Sequence, residues 1–116
     1  MSDVSILKAR ADFLRAARAE SQGTKGFHMQ ARKRDEGEAA DTPIRLGITC
    51  SKKVGNAVAR NRAKRRLREA GWQILPDRGQ PGWDYVLIGR RDVTAKRPWP
   101  DLLEDLRGAL NRIHGV

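Results

Sequence analysis

The cleanest pattern in the chain lies at residues 44–51, IRLGITCS. Ile44, Leu46, Ile48 and Cys50 fall on one side, and Arg45, Gly47, Thr49 and Ser51 on the other. That period of two predicts a strand with one face against a core. Residues 26–33, GFHMQARK, repeat it with Phe27, Met29 and Ala31 on one face. WDYVLIGR, at 83–90, is largely apolar, as in a buried strand. Helical spacing appears toward both ends. Residues 6–20, ILKARADFLRAARAE, carry Leu7, Phe13, Leu14 and Ala17 among strong helix formers and predict a short helix over the second half. Residues 100–115, PDLLEDLRGALNRIHG, place Leu102, Leu103, Leu106, Ala109, Leu110 and Ile113 on one stripe, with Pro100 in the first turn and Gly115 just past the end.

Polar punctuation separates these elements. Gly23 and Gly26 end the first helix, RDEGEAADTP at 34–43 reads as a solvated hairpin loop, and PDRGQPG at 76–82 supplies turn chemistry. The order is helix, strand, strand, helix, strand, helix, with no internal repeat. It predicts one domain over residues 1–116, of α+β class, as a two-layer α/β sandwich with a small mixed sheet.

The remaining helix is the unusual one. SKKVGNAVARNRAKRRLREA, residues 51–70, holds eight Lys or Arg within 51–68 and no acid before Glu69. Set on a helix over 56–74, Ala59, Ala63, Leu67, Ala70 and Ile74 form a seam roughly 80° wide that suits packing on the sheet. Asn61, Lys64, Arg65 and Arg68 line the opposite side, flanked by Arg60 and Arg62. Asn56 is placed as N-cap, and Gly55 lets the strand turn tightly into the helix. Lys52 and Lys53 precede the positive end of the helix dipole. A charged helical face is often merely solvated, but such faces mix signs, and this one does not.

Composition sharpens that reading. The formal charge of +10 points to a polyanionic partner, and 39% hydrophobic residues suffice for one modest core. A lone cysteine excludes a disulfide framework, and no signal-peptide or membrane-spanning run is present, so a soluble cytoplasmic protein is expected. No catalytic constellation stands out. Cys50 sits on an apolar strand face and reads as core. His114 reads as a complement to a helix dipole, and no Cys/His or carboxylate set has metal-site spacing. GNAVARNR lacks the glycine spacing and terminal Lys-Ser/Thr of a phosphate-binding loop. The chain reads as a binder of RNA more than DNA, although its six aromatic residues are few for a base-stacking platform. A ribosomal structural component and an architectural DNA binder are the alternatives.

SKKVGNAVARNRAKRRLRE resembles the signature of the bacterial ribonuclease P protein family, an Arg-Asn-Arg-x-Lys-Arg run after KK-x-G-x-A-V. ADF at 11–13, RLGITCS at 45–51 and DYVLIGR at 84–90 extend the resemblance over most of the chain, leaving 34–43 and 71–82 as variable loops. The resemblance implies a ribosomal protein S5 domain 2-like fold with a left-handed βαβ crossover through the basic helix. It implies a subunit of an endonuclease that removes the 5′ leader of precursor tRNA, with catalysis in the RNA subunit and Mg²⁺ held mainly by that RNA. Implied partners are ribonuclease P RNA and precursor tRNA, with no membrane and one protein per RNA. Carried over, Asn56, Arg60, Asn61, Arg62, Lys64, Arg65 and Arg68 would face the catalytic RNA, with Arg62 and Arg65 favoured as phosphate ligands. Phe13, Phe27, Lys52, Lys53 and Arg90 would line a cleft for the leader. Ala17 and Gln30 stand where the family often has aromatics, so stacking on the leader is expected to be weaker.

Overall fold

The computed structural model describes residues 4–35, 37–38 and 43–115. Five strands form one mixed sheet: β1 (Val4–Ile6), β2 (Glu20–Gly23), β3 (Phe27–Lys33), β4 (Ile44–Thr49) and β5 (Trp83–Gly89). The helices are α1 (Arg10–Ala17), α2 (Ala57–Arg78) and α3 (Trp99–His114), with a 3₁₀ turn at Lys52–Val54. The spatial order is β1-β4-β5-β3-β2; β4 runs parallel to β1 and β5, and β3 antiparallel to β5 and β2.

The period-two residues divide between two faces. Phe27, Met29, Ala31, Ile44, Leu46, Tyr85 and Leu87 join Leu67, Ala70 and Ile74 of α2 and Leu102, Leu106 and Leu110 of α3 in the main core. On the opposite face Val86 packs with Leu7 and Ala16, with Phe13 and Ile88 alongside, so α1 covers only part of that side. The seam read on α2 is therefore the buried one: Ala63, Leu67, Ala70 and Ile74 are buried, and Ala59 lies at its edge.

Several sequence expectations are corrected. Segment 34–43 is not a hairpin loop, because β5 lies between β3 and β4 and pairs with both; positions 36 and 39–42 lie outside the described residues. Helix α2 continues through Pro76 to Arg78, past the expected turn. Proline there removes one donor near the helix end, where few intrahelical bonds remain to lose. Edge strands β1 and β2 are unforeseen: β1 alternates, Val4 and Ile6 against Ser5, but over three residues only, and β2, Glu20–Gly23, has no apolar position. On α1 the inward positions are Asp12 and Ala16, while Leu14, 47% exposed, faces out.

Asp12 is buried because it belongs to an ion-pair network. The fully buried carboxylate of Asp84 on β5 accepts from Arg34 at 2.5 Å and from Arg45 Nε and Nη2 at 2.8 and 2.7 Å. Arg45 also reaches Asp12 at 3.3 Å, and Arg15 donates to Asp12 at 2.8 Å. The hydrogen bonds to Asp84 raise the Arg45 pKa. Nearby, Arg32 clamps Glu38 and holds its carboxyl down to about 2.

His114 also departs from its expected role. Gln80 N–H donates to Tyr85 Oη at 2.9 Å, and His114 Nε2 lies 2.6 Å from that oxygen. The tyrosine hydroxyl then has its proton free for an uncharged imidazole. Burial, the leading cause in both, lowers the His114 pKa and pushes Tyr85 up to about 12. The side chain closes the core with Trp83 rather than complementing the helix dipole as a cation.

Candidate nucleic-acid interface

The entry to α2 is built by three local devices. Ser51 Oγ accepts from Lys53 N–H at 3.3 Å, shaping the 3₁₀ turn. Gly55 has φ 146°, a region open to glycine. Asn56 Oδ1 accepts from Ala59 N–H at 2.9 Å, making it the N-cap as read. Lys52 and Lys53 stand exposed on the turn.

Along α2, Asn61, Arg62, Arg65 and Arg68 are exposed, and Arg60 and Lys64 half-buried. Arg60 donates to Gly55 O at 3.3 Å. Among the described residues every ion pair lies elsewhere: on α1, on β3 to β5 and their connection, in the β5–α3 loop and on α3. The crest of α2 thus presents a cluster of cations that, among the described residues, no ion pair neutralises, which is the electrostatic footprint of a polyanion site. Arg66 behaves differently. It turns back to donate to Thr94 O and Arg97 O and stacks on Trp99, with 5.8 Å from Cζ to the ring centroid.

A second concave surface lies across the sheet, beside α1. The Phe13 ring sits over Gly47, where a Cβ would come within 2.6 Å of Cε1. Strand register places Thr49, Ile88 and His28 in one row on this face, and Arg90 extends toward Gly23, within 3.2 Å of a Cβ placed there. The parallel strands β4 and β5 lead at the same end of the sheet into Lys52, Lys53 and Arg90, so the topology gathers these cations beside the Phe13 face. Phe27 is excluded from this surface. It is 0% exposed and belongs to the main core, across the sheet from Phe13. Its alternation with Met29 and Ala31 already carried that signal, since all three share the core face. Sequence reasoning missed His28, Thr49 and Ile88, which become neighbours only through the β4–β5–β3 register.

Cys50 is half-buried against the core, and burial pushes its thiol pKa up, as suits a packing residue. No three His, Cys, Asp or Glu side chains converge among the described residues. The two buried carboxylates, Asp12 and Asp84, already face guanidinium groups. No helix is long and apolar enough to cross a membrane among the described residues.

The ribonuclease P family profile matches residues 1–114. The chain belongs to the ribonuclease P protein family. Its sequence is 65% identical to the ribonuclease P protein component of Ruegeria pomeroyi over 113 residues, covering 97% of this chain and 89% of that one. It is 48% identical to that of Paramagnetospirillum magneticum over 108 residues, covering 92% and 80%. The fold matches the Staphylococcus aureus ribonuclease P protein with a TM-score of 0.71 at 27% identity, covering 93% of this chain and 94% of that one. It matches the Thermotoga maritima protein at 0.70 and 29%, covering 91% and 94%. A ribonuclease P protein is a subunit of an endoribonuclease holoenzyme with an RNA partner, and its work is tRNA processing. In this ribonuclease P protein Ala17 is exposed at the end of α1 and Gln30 half-buried on the α1 side of β3. Phe13 is thus the aromatic residue that α1 contributes to the concave surface.

Proposed function

We propose that this subunit grips the catalytic RNA of ribonuclease P with the crest of α2 and receives the 5′ leader of precursor tRNA in the cleft between α1 and the sheet. In this reading Arg62 and Arg65 are phosphate ligands, Asn61, Lys64 and Arg68 extend the contact, and Arg60 and Asn56 flank it at the helix entry. Phe13, Lys52, Lys53 and Arg90 hold the leader. Leader removal is endonucleolytic and occurs in the RNA subunit, with Mg²⁺ held mainly by that RNA, in a cytoplasmic holoenzyme of one protein and one RNA. The protein's part is binding.

The observation that carries the proposal is the segregation of charge. Ion pairs are present around α1, the sheet and α3, yet among the described residues the cations of α2 make none. A compact fold tolerates that self-repulsion better when a polyanion relieves it. Reconstitution is the test. Added to a bacterial ribonuclease P RNA at low Mg²⁺, the protein should increase leader removal from precursor tRNA. No gain over RNA alone sinks the proposal.

A further inference from the structure

Beside the crest of α2 lies an open groove of about 920 Å³, on the same sheet face as α3 and across the sheet from the α1 cleft. Arg62, Arg65 and Arg66 line its α2 wall, and Lys96 stands on the facing loop. Among the described residues Glu69 is the one acid on its lining. Arg66, Lys96 and this loop lie outside the contacts proposed above for the catalytic RNA.

That loop is held in place before any ligand arrives. Thr94, fully buried, accepts from Arg90 N–H at 2.7 Å and donates to Gly26 O at 2.5 Å. Arg66 bonds two of the loop's carbonyls, and Arg97 grips Asp105 through Nε at 2.5 Å and Nη2 at 3.0 Å. Lys96 is thereby fixed opposite α2 by bonds that do not involve its own ammonium group. Arg62, Arg65 and Lys96 make no ion pair among the described residues. Burial, and then the neighbouring charge of Arg62, lowers the Arg66 pKa. Val58, 77% exposed in the first turn of α2, adds an apolar contact at the mouth.

We propose that this groove seats one strand of phosphodiester backbone of the catalytic RNA, with Arg62 and Arg65 binding phosphates from one wall and Lys96 from the other. Among the described residues its charged lining is three arginines on the α2 wall, Lys96 and Arg97 on the loop, and one acid, a set suited to phosphate contacts that position a backbone. The catalytic RNA is the source because the groove adjoins the α2 crest, while the sheet separates it from the leader cleft. The inference rests on the proposed function and extends it to a second wall.

The full-length protein is titrated with ribonuclease P RNA across a salt series, as wild type, Lys96→Glu, Glu69→Gln and Arg65→Ala. Lys96 and Glu69 are exposed, so melting midpoints should match wild type. Lys96→Glu should weaken binding at least fivefold and lower the salt slope by about one. Glu69→Gln should tighten it about threefold. If Arg65→Ala weakens binding while Lys96→Glu and Glu69→Gln leave it unchanged, the groove is empty and only the crest is used. If Lys96→Glu spares RNA affinity but raises KM for precursor tRNA at saturating protein, the backbone belongs to the substrate and the assignment is overturned. Wild type that fails to bind the RNA at all removes the underlying functional reading.

Discussion

A Cβ at position 47 would lie 2.6 Å from Phe13 Cε1 and 3.2 Å from Leu7 Cδ2. Gly47→Ala must therefore push the Phe13 ring away, and a urea titration should show about 1–3 kcal/mol of lost stability. An unchanged midpoint would show that α1 shifts freely over the sheet. His114 supplies a pH signature. Its pKa is lowered in the fold, so its contribution is complete above the unfolded value near 6.5 and declines as pH falls below it. The melting temperature should drop between pH 6.5 and 5, and less in His114→Gln. Glu38 acts further down: its carboxyl, held at about 2, contributes above 4.5 and is lost toward pH 2. Individual roles of this kind were only partly legible. Asn56 as cap and Gly55 as turn follow from local geometry, whereas His114 required Tyr85, 29 positions away in the chain.

At the scale of elements, α2 was the most legible because its burial follows one period along one continuous segment. Its N-cap offers a separation of structure from recognition. Asn56→Ala should cost about 1 kcal/mol of stability, and Asn56→Ser should restore most of it. RNA affinity that follows the cap, recovering in Asn56→Ser, assigns Asn56 to helix entry; affinity lost in both variants assigns it to RNA. Arg62→Ala and Arg65→Ala should each lower the salt slope of RNA binding by about one. Edge strands β1 and β2 were illegible for the opposite reason. They are short and bury little, and they exist because a long neighbour offers its backbone groups. Pro76 misled because it marks a helix end in most contexts, but here it falls in the last turn of a helix already anchored by Ile74 and Leu75.

The molecule as a whole is tied together on its α1 side by Asp84. Removing that carboxylate leaves Arg34 and Arg45 without their shared acid, so Asp84→Ala should lose about 3–5 kcal/mol in urea unfolding. A loss under 1 kcal/mol would mean the guanidinium groups find water or other partners. On the functional side, Phe13→Ala and Lys52→Ala should weaken holoenzyme affinity for leader-bearing precursor and spare mature tRNA. Equal loss for both substrates would count against the leader cleft. The chain by itself determined which residues alternate, where the cationic helix lies and what kind of partner its charge requires, because these depend on spacing and composition. Tertiary structure alone decided that β5 separates β3 from β4 and that Phe27 is core while Phe13 is cleft. It alone set Lys96 facing Arg62 and Arg65 across a groove. The reason is physical: a residue's own period tells which face of its element it occupies, but sheet order and helix docking decide what that face meets.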